Sequence, residues 1–372
     1  MSDLQKVFLK RIKKQEAALG LSSLSEEPTD ETAVSSGSGF SAKSPDQPLR
    51  VAGNDDENGD DDKKIIRNYE SFRDTFETEI LPAPGARIKT YYKQAKNPGP
   101  LLVCHHGAGS SSMTFGEFSR FFFPDESISI ILFDMRGHGD SQAEQEYTLN
   151  VLVEDVKVVL DKLVTKYAPK SIFLLGHSLG GAVFAKYATE NPHALVKGLI
   201  LLDIIEETAI SSLNAMPQFI DRIPPRFASL DQAIQWHIKT LLNNRASAEI
   251  SVPHLLNLDT LTWKTDLRHT QPYWTTWFKN LSDNFIAFKG AKLLILSTHE
   301  SLDTSLMIGQ MQGKYQLVVF NNSEKTGHFV HEDLPMQVAK CVIDFIRKTT
   351  APEKFMKDEL GITPKWGGKV NK

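Results

Sequence analysis

Cysteine is almost missing from this chain: Cys104 and Cys341 are the only two in 372 residues. Both read as small core hydrophobes rather than a disulfide or a metal pair, and such sparing use suits a reducing compartment. Long apolar runs are missing too. Nothing approaches the length of a membrane-spanning helix, and the opening stretch MSDLQKVFLKRIKKQEA lacks an apolar segment of signal-peptide type. The expectation is a cytoplasmic or nuclear protein that makes no use of a membrane. The tetrapeptide KDEL at 357–360 is followed by twelve more residues, so it is not read as a retention signal. Charge of one sign is also lacking, since 42 Lys and Arg stand against 46 Asp and Glu, a net charge of −4. No strong pull toward nucleic acid follows, and the partner has to be sought in local chemistry.

What is present divides unevenly. Residues 1 to about 18 have Leu4, Val7, Phe8 and Ile12 at helical spacing among basic residues, which predicts a short amphipathic helix. Residues 20–64 are rich in Ser, Glu, Asp, Gly and Pro, with Phe40 as their one aromatic. Such a stretch buries too little to offset chain entropy, so 1–68 is expected to be a disordered extension and the acidic run at 55–62 a solvated one. Order is expected to begin near Tyr69. From there strand-like and helix-like stretches alternate: RIKTYYK, LLVCHHG, ISIILFDMRG, a helix from Asn150 to about Tyr167, SIFLLGHS, a helix from about Leu179, and VKGLILLD. Continuous apolar strands alternating with helices predict an α/β fold, a mostly parallel sheet with helices on both faces. Residues 204–288 break the rhythm with Trp, Pro and amphipathic helical pieces and show no clear strand. They read as an inserted helical cap, after which AKLLILS, YQLVVFN and a helix from Pro335 to about Lys348 complete the core over 289–350, leaving a polar tail at 351–372.

The chemistry centres on Gly176-His177-Ser178-Leu179-Gly180, at the join between SIFLL and a helical pattern. A serine at a sharp strand-to-helix turn is held clear of the sheet, and the positions two residues away on either side have no room for a side chain. Ser178 is therefore read as a nucleophile, against the plainer reading of a glycine-rich turn. The amide of Leu179, at the helix N-terminus, is placed to donate to an oxyanion. A serine hydroxyl needs a base. His328, just beyond the last strand, occupies the position expected of it, while His331 reads as a surface or capping residue and His177 as pointing elsewhere. No further ligands cluster around His328 and His331, so no metal site is expected, and the chemistry calls for no cofactor. The acid is either Asp203, after the strand following the nucleophile, or Asp303, after AKLLILS. The one left over would cap a helix or pair at the surface. HHGAGSSS at 105–112 is the candidate second oxyanion loop through the amide of Ala108, and DMRGHGDS at 134–141 reads as a structural turn containing Arg136 and His138.

These segments, together with LLDIIEETA, PPRFASLDQAIQWH, YWTTWFKNLS, IGQMQGKYQ and GHFVHEDLP, make the chain resemble the protein phosphatase methylesterases, serine hydrolases with the α/β-hydrolase fold. That resemblance implies removal of the methyl ester from the C-terminal leucine of the type 2A protein phosphatase catalytic subunit, which would be both substrate and partner. It also implies that the triad acid is Asp203, with Asp303 as runner-up, and that the site is completed when the phosphatase binds. An acidic insertion found in the cap of some members is absent here. The competing expectations are a small-molecule carboxylesterase or lipase, and a catalytically silent phosphatase-binding module. Trp236, Trp263, Tyr273, Trp274 and Trp277 read as cap core first and as partner anchors second.

Overall fold

The computed structural model describes residues 55–351, except 126, 145, 299–300 and 321–325. The amphipathic helix expected over 1–18, the extension as far as 54 and the tail after 351 lie outside the described residues. The first described element corrects an expectation. Helix α1, Asp55–Arg73, runs through the acidic stretch rather than leaving order to begin at Tyr69. Its Ile65, Tyr69 and Phe72 are buried, and the Asp62 carboxylate accepts the N–H groups of Leu230 and Asp231 at 2.8 and 3.0 Å. Part of the run that looked solvated thus neutralises the positive end of another helix.

The chain then forms β1 (Glu77–Ala83), β2 (Ala86–Lys93), β3 (Pro100–His105) and β4 (Ser129–Phe133). Helix α2 (Leu149–Tyr167) follows, capped by Thr148 and stopped by Ala168 in a left-handed conformation. After it come β5 (Ser171–His177), α3 (Leu179–Glu190) and β6 (Val196–Leu202). The insertion holds α4 (Leu230–Thr240), α5 (Arg245–Leu255) and α6 (Leu281–Ala287) among shorter turns. The core resumes with β7 (Ala291–Leu296), α7 (Thr304–Met311), β8 (Gln316–Val319) and α8 (Pro335–Thr350).

The strands order as β1-β2-β4-β3-β5-β6-β7-β8, and a two-residue strand, Gln142–Ala143, pairs with β2. Pairing is antiparallel at the β1-β2-β4 edge and parallel from β4 through β8. Alternation along β3 sends Leu101 and Val103 to one face and Leu102 and Cys104 to the other. One face packs under α2 and α3, with Leu152, Val156, Val159 and Leu163 as the stripe of α2, and the other packs under Val338, Val342 and Phe345 of α8. Helices therefore cover both faces, which is why the parallel strands are apolar throughout.

The insertion is less of a separate cap than its sequence suggests. It contains a small antiparallel pair, Leu256–Asn257 with Thr262–Trp263, where no strand was legible. Phe227, Leu230, Ile234, Leu242, Ala248 and Val252 form a cluster of their own, joined by Ile65 from α1. Trp274, Trp277, Leu281 and Phe285 instead belong to the core over α2 and α3, and Ile250 to the core on the opposite face. The indole N–H groups of Trp274 and Trp277 are spent on Thr270 Oγ1 and the Tyr147 carbonyl, at 2.8 and 2.7 Å. These two rings are core, while Trp236, Trp263 and Tyr273 are half-buried.

Candidate active site

Ser178 stands between β5 and α3 at φ 51° and ψ −122°, a region that side chains other than glycine rarely adopt. The flanking glycines show what holds it there. A Cβ on Gly176 would fall on the backbone of Gly180 and Gly181, and a Cβ on Gly180 on the carbonyl oxygens of His105 and His106. Only without those atoms can α3 start this close to β3. The bend leaves the Ser178 hydroxyl uncommitted. It makes no capping bond to α3 and, among the described residues, no hydrogen bond to His328.

Asp203 follows β6, also at positive φ (51°), with its N–H given to the Ile295 carbonyl at 2.8 Å. One carboxylate oxygen accepts the Ser297 N–H at 2.6 Å, and the other lies 2.9 Å from His328 Nδ1. The carboxylate is 1 % exposed and the imidazole 36 %. A buried acid thus holds Nδ1 of a partly exposed ring. With the proton on Nδ1, Nε2 is free to act as a base. Asp303 is elsewhere: its carboxylate caps α7 through the Leu306 N–H at 3.0 Å and accepts the Ser282 hydroxyl. The structure therefore brings His328 together with Asp203 and not with Asp303, which takes the helix-capping position.

Leu179 is the first residue of α3 and is buried. Ala108 lies in the loop after β3, beside Gly107, whose Cβ would stand 3.0 Å from Ser178 Cβ. The loop of residues 105–112 thus passes directly against the serine turn.

Of the two other histidines near the imidazole, one departs from expectation. His331 is fully buried rather than at the surface, stacked on Phe115 at 4.4 Å, with Nε2 3.3 Å from Thr114 Oγ1. Burial pushes its pKa down to about 3. His177 does point away from the serine, but to an end: its Nε2 donates to the backbone carbonyl of His328 at 2.9 Å. Burial keeps this imidazole neutral, well below the ordinary histidine range. Asp333 also holds the histidine loop, accepting the Gly327 N–H at 2.6 Å on one oxygen and the Asn243 N–H at 2.6 Å on the other. Sequence reasoning passed over both. The only signal for His177 was its place next to the serine, and nothing in the sequence brings Asn243 to Asp333. Among the described residues no cluster of His, Cys, Asp and Glu is arranged to hold a metal ion. A surface hollow lined by Asn150, Glu154, Lys186 and Asn191 contains none of these groups.

Comparison with known proteins agrees with this fold. Residues 102–340 match the family model described as the alpha/beta hydrolase family. Protein phosphatase methylesterase 1 of Candida albicans is 56% identical over the full length of both chains. The protein of the same name from Schizosaccharomyces pombe is 37% identical over 84% of this chain and 95% of its own. Among solved structures, E-2-(acetamidomethylene)succinate hydrolase superimposes with a TM-score of 0.61 at 20% identity, covering 73% of this chain and 99% of that one. A putative epoxide hydrolase from Pseudomonas aeruginosa does so at 0.54 and 17% identity, covering 74% of this chain and 96% of its own. At such identities the two structures speak to the fold alone.

Proposed function

This chain belongs to the α/β hydrolase family and, within it, to the protein phosphatase methylesterases, and on that premise we propose that it removes the methyl ester from the C-terminal leucine of a type 2A protein phosphatase catalytic subunit. The observation that carries the chemistry is the Asp203–His328 pair, its imidazole 4.6 Å from the ring of His177, the residue next to a serine on a strained turn. Ser178 Oγ attacks the ester carbonyl while His328 Nε2 takes its proton, and Asp203 holds the imidazole in the tautomer this requires. The tetrahedral oxyanion is met by the N–H groups of Ala108 and Leu179, the second strengthened by the α3 N-terminus. Collapse breaks the carbon–oxygen bond to the methoxy group, which leaves as methanol with the proton from His328. Water, deprotonated by the same imidazole, then attacks the acyl-enzyme, and the leucine carboxylate departs as Ser178 regains its proton. The sum is ester and water in, acid and methanol out.

A methyl group is too small to confer selectivity, so recognition falls to the leucine, the preceding peptide and the body of the phosphatase. The uncommitted Ser178 hydroxyl fits a site whose serine–imidazole bond tightens only when that substrate is in place. We assign the activity to the cytoplasm or nucleus, where free thiols such as Cys104 and Cys341 stay reduced. The test follows ester loss from methylated phosphatase incubated with the parent chain and with Ser178→Ala. The expected result is loss with the parent and none with the variant. An ester that persists with the parent rejects the substrate, and an active Ser178→Ala rejects the nucleophile.

A further inference from the structure

Two buried histidines, neither of them part of the serine–histidine–aspartate set, lace the loop of residues 105–112 to the turn after β4, and they do so reciprocally. His106, in the loop, faces the Gly107 carbonyl with Nδ1 at 2.8 Å and accepts the Met135 N–H of the turn on Nε2 at 2.8 Å. His138, in the turn, faces the Arg136 carbonyl with Nδ1 at 2.9 Å and accepts the Gly109 N–H of the loop on Nε2 at 3.0 Å. The rings lie 5.4 Å apart, each almost fully buried. Each Nε2 meets an N–H and each Nδ1 a carbonyl, so both tautomers are set: the proton is on Nδ1 and Nε2 accepts.

The peptide plane makes this more than a turn ornament. The Gly107 carbonyl and the Ala108 N–H share one planar trans peptide and point in opposite directions, so holding the carbonyl aims the N–H. The Gly109 N–H belongs to the next plane. His106 and His138 therefore hold the two peptide planes on either side of Ala108. We propose that His106 and His138 are positioning residues that set the direction of the Ala108 N–H toward the oxyanion. This rests on the reading of Ala108 as an oxyanion donor in the Ser178 reaction. Burial supports it by holding both imidazoles below the ordinary histidine range, against the smaller opposing pull of Asp134, because only the neutral ring can accept an N–H.

The experiment uses the full chain and exploits the fact that an asparagine amide reproduces the Nδ1 side of histidine and a glutamine amide the Nε2 side. For His138 the loop contact is on Nε2, so His138→Asn loses kcat by about a hundredfold with KM unchanged, and His138→Gln restores most of it. For His106 the contact with the Ala108 peptide is on Nδ1, so the order reverses and His106→Asn outperforms His106→Gln. Turnover is read on methylated phosphatase and on p-nitrophenyl acetate, with Ser178→Ala alongside. A purely local role in the DMRGHGDS turn predicts Asn above Gln at 138, and that result, or no difference, overturns the proposal. Should the variants fail to fold, amide hydrogen exchange of the parent decides. Gly109 and Met135 amides protected like strand amides support the lacing, and exchange at the rate of an open turn overturns it. A parent chain without esterase activity, or an active Ser178→Ala, brings down the underlying function and this inference with it. An active parent with a dead Ser178→Ala and no crossed order brings down the inference alone.

Discussion

Ser178 and Asp203 both sit at φ 51°, the first between glycines whose Cβ atoms would meet backbone and the second tied by its N–H to the Ile295 carbonyl. Strain of this kind, about 1–3 kcal/mol per residue, persists only where the surroundings over-determine it, and here it aims one side chain outward and the other at His328. Asp203→Asn should therefore lower kcat by about 10⁴ through the wrong imidazole tautomer. Asp303→Asn should leave kcat alone and cost about 1 kcal/mol of stability as a weakened cap, so parallel turnover and urea unfolding separate the two. Equal turnover losses would sink the assignment. Glu332 offers a test of a different kind. Its carboxyl is buried, Oε2 has no hydrogen-bond partner among the described residues, and burial raises its pKa well above the usual carboxylate range. A raised acid favours folding below the unfolded pKa of about 4.3 and loses that contribution as pH climbs, because the unfolded chain ionises freely. Glu332→Gln should raise Tm at pH 8 by a few degrees, about 2–4 °C for each kcal/mol, and change it little at pH 4. A Tm gain of equal size at both pH values would show that ionisation is not the cause.

At the scale of elements, helices α1 and α5 and the loop around His328 do work that their sequences do not advertise. The α1 boundary was misplaced because an acidic, glycine-containing run resembles a solvated tail in any local reading. Its order comes from tertiary contacts: Asp62 with the N-terminus of α4, Tyr69 with His254 of α5, and Phe72 with Phe76 and Phe123. A chain beginning at Tyr69 should be about 3 kcal/mol less stable than one beginning at Asp55, through loss of the Asp62 cap and of Ile65 burial. Equal urea midpoints would refute this. The Asn243–Asp333 and Ser247–Glu332 contacts join the insertion to the loop that carries His328, the second through a 2.7 Å bond from the Ser247 hydroxyl to the Glu332 carbonyl. Asp333→Ala frees the Gly327 and Asn243 N–H groups together, and should cost about 3 kcal/mol and slow turnover by loosening His328. Retention of full kcat in a folded Asp333→Ala would show that the insertion does not steady the base.

Across the whole molecule, three distant segments meet at Asp134. Its carboxylate accepts the N–H groups of Ser112 and Asp140, and His254 of α5 contacts it at 3.0 Å while touching Tyr69 of α1 at 2.6 Å. Burial alone would raise this carboxyl, yet His254 beside it and the Asp140 N–H bring it well below the carboxylate range. A depressed acid contributes stability above the unfolded pKa of about 3.9, and that contribution drains as pH falls toward the folded value. Urea unfolding between pH 3 and 7 should show the parent losing stability on the acid side and Asp134→Asn starting lower with a flatter limb, and parallel curves would count against this. What the sequence determined by itself was what local periodicity and covalent geometry can specify: the strand and helix alternation, the bend at Ser178 between glycines that nothing larger can replace, and a histidine just beyond the last strand. Only the tertiary structure set the Asp203 carboxylate, and not that of Asp303, against His328, buried His331, folded 55–73 into the body and set His106 across from His138. Each of those depends on a hydrogen bond or a burial between residues far apart in the chain, and the free energy of such a contact exists only once the sheet has brought its two ends within reach.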